Sequence, residues 1–248
     1  MKKLGLSFYE TPIINDPAAP GRVLNRRAFM LPPTDRIPIF PLHAPLFYPG
    51  RTLPLHIFET RYRALMKDAL AADGRFAMGV FRPGWEKDYE GRPPIFDTIC
   101  IGKITKYNKL PDGRYLLKLV GEARAKVVLE EDGKPYRIGI VNIVKETPLT
   151  KSEEACWKTA ITDILTSLCG KLLSPPRDPD CEIAPPSAAI DFADEAILHL
   201  PLTLESRMLL YSIPEHSRRL QAVADCAREI IQFRNSKDKD KPSDPANN

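Results

Sequence analysis

The sequence predicts an α+β chain in which a small curled sheet or pseudo-barrel holding one helix is followed by a bundle of α-helices. Three observations carry this. Between residues 36 and 147, short β-branched and aromatic runs are punctuated by glycines and turn dipeptides. Within that region a stretch beginning at Ile57 changes to spacings of three and four. Past Pro148 the helical period takes over for good. The expected organisation is an extended arm over 1–35, a β domain over 36–147, a helical subdomain over 148–235 and a disordered tail over 236–248.

Residues 1–35 hold scattered apolar groups between the turn-prone IINDPAAPG and LPPTD. In IPIFPL (37–42), Pro38 and Pro41 remove backbone donors, so a strand here is expected at a sheet edge, to begin late, or to be broken by a bulge. Pro49-Gly50 marks a turn. Phe58, Tyr62, Leu65, Met66, Ala69 and Leu70 then define one buried helical face, with Gly74 as its stop. Over Thr98 to Lys106, Ile99 and Ile101 share a face and the phase changes at Gly102, which predicts a bulge or bend. Asp112-Gly113 is a hairpin turn leading into strands Tyr115–Val120 and Ala125–Leu129, with Gly121 as a bend between them. Glu131-Asp132-Gly133 turns the chain into a strand over Tyr136–Val144.

The helical part opens with Thr150 and Glu153 at capping-box spacing, ahead of an apolar stripe of Trp157, Ala160, Ile161, Ile164, Leu165 and Leu168 that Gly170 ends. The proline-rich SPPRDPDCEIAPPS separates it from helices expected over Ala188–Leu200, Leu202–Ser212 and Pro214–Asn235. Pro214 suits a helix start, where its missing donor is not needed. Leu220, Val223, Ala227, Ile230 and Ile231 form the seam of the last helix. The remaining SKDKDKPSDPANN alternates charge and lacks large apolar residues.

Taken in order, IPIFPL with Pro41, the Pro49-Gly50 turn and the core Phe58-Glu59-Thr60-Arg61-Tyr62 resemble the N-terminal substrate-binding domain of the Lon protease family. Members of that family open with an edge strand, a Pro-Gly turn and a helix carrying phenylalanine-glutamate-x-arginine-tyrosine. The resemblance continues through FAMGVF (76–81), IGKI (101–104) with Gly102, and LPDGRY (110–115) with Asp112, Gly113 and Arg114. It extends into GEARAKV (121–127) with Gly121 and Arg124, and PYRIGIV (135–141). Residues 36–147 match well and the helical remainder more loosely. The resemblance implies a fold related to the PUA-like barrels, motif residues that are mainly structural, and a role in binding.

It does not imply proteolysis. A nucleotide-cradling loop needs an upstream glycine and a lysine followed by serine or threonine. Gly102-Lys103 and Gly170-Lys171 have neither. The chain leaves no room for the ATPase and serine-lysine peptidase domains, which in the family lie beyond the matched region. The expectation is a stand-alone, non-catalytic substrate-binding domain without a nucleotide or other cofactor.

Composition agrees. A net charge of +4 from 36 basic and 32 acidic residues makes no case for a polyanion as the main partner. No apolar stretch approaches the ~20 residues needed to span a bilayer, and the N-terminal apolar run is too short for a signal peptide. A cytoplasmic protein with no membrane partner is expected. Five cysteines without close pairs fit reduced thiols packed as small hydrophobes better than disulfides or a zinc site.

Two catalytic pairings need weighing. His56 and Glu59 stand three apart, but a first-turn glutamate favours the helix dipole and pairs locally with Arg61 or Arg63. Cys100 with His43 or His56 has no third orienting group in the sequence, and a buried strand cysteine is the simpler reading.

What remains is recognition of polypeptides or a protein partner. The loop RPGWEKDYEGRPPIFD (82–97) follows Phe81 and carries Trp85 and Tyr89, aromatic residues suited to peptide anchoring. The competing reading is that Trp85 folds back over the core. Peptide addition at an exposed sheet edge is a second mode, away from the edge that Pro38 and Pro41 block. Two alternatives stand beside it. RNA binding would use Lys103, Lys106, Lys109, Arg114 and Lys118 with Tyr107 and Tyr115 as stacking groups. An adaptor would dock through its helices, and deleting 150–235 would then leave the barrel folded.

Overall fold

In a computed structural model, residues 34–43, 47–89, 91–169 and 188–239 are described, without the side chains of 34, 165, 169 and 237–239. The arm over 1–33, the proline-rich loop and the end of the tail lie outside them. Six strands build one sheet: β1 (Thr34–Leu42), β2 (Thr52–Ile57), β3 (Arg75–Val80), β4 (Thr98–Lys109), β5 (Tyr115–Glu131) and β6 (Arg137–Ile143). They hydrogen-bond in the order β2-β5-β4-β3-β1-β6, and β5 pairs with β6 as well, so the sheet curls round to meet itself. β5 makes this possible by its length. Tyr115–Val120 pairs with β2, whereas Ala125–Glu131 pairs with β6.

Alternation along the strands sorts the apolar side chains into two layers. Ile37, Ile39, Ala77, Ile99, Ile101, Ala125 and Val141 form one buried cluster. Phe40, Phe76, Met78 and Cys100 point the other way and pack with Tyr62, Leu65, Met66 and Ala69 of α1 (Thr60–Ala71). Gly74, at φ 75°, stops that helix and donates to Ala69 O at 2.8 Å.

The expected bulge lies between Ile101 and Gly102, where Ile101 faces Ala123 while Gly102 faces Gly121. Glu122 is the extra residue. Both glycines make room for the segment Phe47–Gly50. A Cβ on Gly121 would sit 2.2 Å from Tyr48 O, and one on Gly102 would sit 2.9 Å from the Phe47 ring. The Pro49-Gly50 turn completes the joint, with Gly50 N donating to Gly121 O and Gly121 N to Arg51 O, each at 2.9 Å.

The helices α2 (Lys151–Cys169), α3 (Ala189–His199), α4 (Leu204–Tyr211) and α5 (His216–Lys239) bury Ile161, Ala193, Ile197, Leu220 and Val223 in a third cluster. Tyr48, Val80 and Phe96 from the sheet region join it. The capping box at α2 is formed, with Thr150 N donating to Glu153 at 2.8 Å and Glu153 N donating to Thr150 Oγ1 at 3.3 Å.

Several expectations are corrected. β1 is not at an edge: it lies between β3 and β6. Its prolines survive because Pro38 falls where β1 pairs only with β6, and Pro41 where it pairs only with β3. Each therefore has one flank without a strand, where a missing donor costs nothing. The two strands expected on either side of Gly121 are one continuous strand, since the bulge bends the ladder without breaking it. Phe58 precedes α1 and is 60% exposed, so it does not belong to the buried face. Pro214 stands two residues before α5, where its carbonyl accepts from Thr147 N at 3.2 Å, and the helix runs on past Asn235 to Lys239. Cys156 is exposed rather than buried.

Charge crosses the joint between sheet and helices. Arg124 of β5, 2% exposed, meets Asp194 of α3 and Glu146, the latter at 2.5 Å. Arg219 of α5 is fully buried and reaches the same Asp194 at 2.9 Å. The Arg124 guanidinium also lies 4.5 Å from the centre of the Tyr211 ring, and Tyr211 donates to Phe47 O at 2.6 Å. Removing the helices would therefore strip Arg124 of Asp194 and uncover Phe47.

Candidate functional site

The aromatic loop and the short motif at the start of α1 come together. Phe81 at the end of β3 forms an isolated antiparallel bridge with Ile95, and Arg82 N donates to Pro94 O at 2.8 Å, closing the excursion between them. Gly84, at φ 89°, adopts a conformation open to glycine and starts a single 3-10 turn, Trp85–Asp88. That turn brings Trp85 against Phe81, with ring centres 5.3 Å apart and planes 13° from parallel. His43 stacks on Trp85 at 5.4 Å, and Tyr89 meets Trp85 edge-on at 5.6 Å.

Glu59 and Arg61 hold this cluster in place. The Tyr89 hydroxyl donates to Glu59 Oε1 at 2.7 Å, Arg61 Nε donates to Glu59 Oε2 at 2.9 Å, and Arg61 Nη1 donates to Tyr89 O at 3.3 Å. The guanidinium lies 4.8 Å from the centres of both the Tyr89 and Tyr62 rings. Burial, reinforced by the Glu59 carboxylate, pushes the Tyr89 hydroxyl pKa up and keeps it a donor. Tyr62 turns inward to Phe40, 4.3 Å away, and burial pushes its pKa up to about 12. Two more arginines pin the loop: Arg137 donates to Pro93 O, and Arg82 to Ile95 O at 3.1 Å. The result is a fixed surface on which Phe81 is buried while Trp85 and Tyr89 are half-buried.

Trp85 folds back to cover Phe81 and remains half-buried rather than fully enclosed. The local pairing expected for Glu59 is with Arg61. Glu59 is engaged by Arg61 and Tyr89, while His56 lies exposed on β2 with its ring 5.8 Å from Phe58. The Cys100 thiol is 1% exposed, donates to Ile101 O, and has its pKa pushed up to about 12 by burial, the opposite of a nucleophile. Tyr115 is buried under α1, so of the aromatic pair considered for RNA stacking only Tyr107 is exposed. Among the remaining motif residues, Asp112 caps its own turn by accepting from Arg114 N at 3.0 Å, and Gly113 takes φ 83°.

The sequence did not disclose a cleft of about 730 Å³ between the end of α1, the first half of β1 and the β5 bulge. Its rim is closed by ion pairs: Arg75 to Asp73 at 2.5 Å and to Glu122 at 2.6 Å, and Lys134 to Asp68 at 2.9 Å. The only sequence signal for it was the phase change at Gly102. Among the described residues there is no group of histidine, cysteine or acidic side chains able to hold a metal ion, and no helix long and apolar enough to cross a membrane.

The architecture is a barrel-like sheet closed through the β5–β6 pairing, with β2 flanking it, one covering helix and a helical partner held through a motif arginine. The chain belongs to the family of the ATP-dependent protease La (LON) substrate-binding domain, whose model matches residues 36–228. It is 28% identical over 151 residues to the Lon protease of Parabacteroides distasonis, covering 58% of this chain and 18% of that protein. It is 30% identical over 118 residues to Lon protease 2 of Myxococcus xanthus, covering 48% and 14%. The chain thus spans less than a fifth of either relative. A Lon N-terminal domain protein from Xanthomonas campestris shares the fold with a TM-score of 0.51 at 21% identity, over 75% of this chain and 95% of that one. The N-terminal domain of the Mycobacterium avium complex Lon protease does so with a TM-score of 0.52 at 17% identity, over 79% and 99%.

Proposed function

We propose that this chain is a non-catalytic, Lon-type substrate-binding module that takes up unfolded or partner polypeptides, with Trp85 and Tyr89 as its contact anchors and Phe81 as the floor beneath them. The observation that carries this reading is the way the motif pair Glu59 and Arg61 grips Tyr89. A half-buried indole and phenol fixed in advance give large contact area, and little conformational entropy is lost when a peptide arrives. The commitment of Glu59 to Arg61 and the raised pKa of the Cys100 thiol support a binding role without chemistry.

The test uses Trp85 as its own reporter in a Trp157→Phe background. Titration with a panel of chemically unfolded proteins is expected to shift the indole emission. Trp85→Ala, whose binding is read instead by the anisotropy of a fluorescein-labelled unfolded protein with the parent chain alongside, is expected to weaken binding about tenfold, the scale of an aromatic anchor. No binding at tens of micromolar, together with an unchanged affinity for Trp85→Ala, would remove the basis of the proposal.

A further inference from the structure

The cleft between the end of α1 and the first half of β1 lies where the barrel wall lacks a strand. β1 pairs with β6 along Thr34–Ile39 but with β3 only along Ile39–Leu42, because β3 starts at Arg75. Over residues 34–38, the flank of β1 turned away from β6 has no strand beside it among the described residues. Pro38 fixes which backbone groups lie there. Having no donor, it is the non-hydrogen-bonded partner of Ile138, so Ile37 and Ile39 carry the bonds to β6. The alternation then turns Arg36 N–H, Arg36 C=O and Pro38 C=O into the gap. Side chains alternate as well: Ile37 faces the barrel interior with Ile101, and Asp35, two residues earlier, shares that face. Asp35 is exposed and has no ion pair among the described residues. Every other charged group lining the cleft is engaged, in the rim pairs described above or, for Arg36, with Glu131 at 2.6 Å.

We infer that this cleft is a second polypeptide site, which receives an extended segment as an added strand along residues 34–38, with a basic side chain opposite Asp35 and small apolar ones toward Ala123 and Ile143. The inference rests on the proposed function for its ligand class, a polypeptide, but uses none of the aromatic loop. The unpaired backbone selects a strand over a compact ligand, since a main chain supplies donors and acceptors at the spacing of Arg36 and Pro38. Pro38 withholds one donor from this flank and leaves the carbonyls and the Arg36 N–H in place. The bare run is about 16 Å long at the rise of a strand, and the cleft beside it holds about 730 Å³. Charge complementarity selects the basic residue, because Asp35 is the carboxylate here that no cation neutralises.

The experiment measures the anisotropy of a fluorescein-labelled peptide in which valine and threonine alternate around one central arginine. One control carries glutamate in place of the arginine, and another carries methyl groups on alternate backbone nitrogens. The intact chain is expected to bind the arginine peptide about fivefold more tightly than the glutamate peptide, the scale of an exposed ion pair. The methylated peptide, which cannot donate along the strand, is expected to bind at least about tenfold more weakly. Asp35→Lys is expected to reverse the preference between arginine and glutamate with an unchanged thermal melt, and saturating peptide to slow amide exchange at Arg36. Trp85→Ala is expected to leave the affinity within about twofold. No binding of the arginine peptide at hundreds of micromolar, equal binding of the methylated peptide, or an unchanged preference in Asp35→Lys would overturn the inference. A peptide lost with Trp85→Ala and indifferent to Asp35→Lys would overturn it too, while leaving the aromatic-loop reading intact. The converse result supports it whatever becomes of that reading.

Discussion

Arg124 and Asp194, 70 positions apart in the chain, form a buried ion pair that joins the barrel to the helices. Asp194 is shared: it also accepts from Arg219 at 2.9 Å, so a single carboxylate serves two guanidiniums that are almost wholly out of water. Such a pair contributes little net stability when intact, but removing one member leaves uncompensated charge.

Asp194→Asn is therefore expected to destabilise the chain by about 3 to 5 kcal/mol, the cost of breaking a buried pair. Urea unfolding checks it, as a lowered midpoint at unchanged slope. A midpoint within error of the parent would mean that Glu146 alone can neutralise both arginines.

Gly121→Ala tests the joint from the backbone side. The added Cβ would lie 2.2 Å from Tyr48 O, a contact that a side-chain adjustment does not relieve. A loss of about 1 to 3 kcal/mol or more is expected from overpacking. At Gly133, where a Cβ meets nothing, the same change should cost only the strain of φ 103°.

Acid should loosen the same joint. Burial opposes ionisation of Glu146, but the hydrogen bond to His216 and the charges of Arg124 and Arg219 override it and pull its pKa from 4.5 to about 2. Glu195 behaves alike: burial is outweighed by hydrogen bonds to His199 and Tyr48 and by Arg51. Both carboxylates are depressed in the folded state. Their stabilisation is complete above the unfolded value near 4.5 and is lost as pH falls toward about 2. Thermal melts across that window should show a steep drop, and Glu146→Gln should flatten it.

The thiols should separate by reactivity. Cys156 is exposed and should react at once with a thiol reagent in native buffer, whereas Cys100 should react only after denaturant is added. Fast modification of Cys100 in the native chain would contradict its burial.

Most of the fold was legible because local signals and tertiary packing agree. Asp112-Gly113, the Thr150–Glu153 box and the Gly102 phase change each act within a few residues, and each lies where expected. Phe58 misled because helical spacing alone does not show where a helix starts; its ring matches the periodicity of Tyr62 and Leu65, yet α1 begins only at Thr60. The prolines of β1 misled because a strand can be central in a sheet and still have one bare flank at each point along its length. At the candidate site, Trp85, Tyr89 and the Phe58–Tyr62 motif were all singled out, but not that Glu59 and Tyr89 touch. That contact spans 30 positions and depends on a loop closing on itself, which no local pattern encodes. The Arg124 network was invisible for the same reason.

The pairing of β1 with β6 has a consequence for synthesis on the ribosome. The first strand finds its antiparallel neighbour only when residues 137–143 have left the exit tunnel, and Arg124 finds Asp194 later still. Until then the nascent chain carries first a half-wrapped sheet with Ile37 and Ile39 uncovered and then an Arg124 that still lacks one of its two carboxylates. Such long-range closure is slow and leaves apolar surface open to association. During its own translation, this chain passes through the state of the unfolded polypeptides it is proposed to bind.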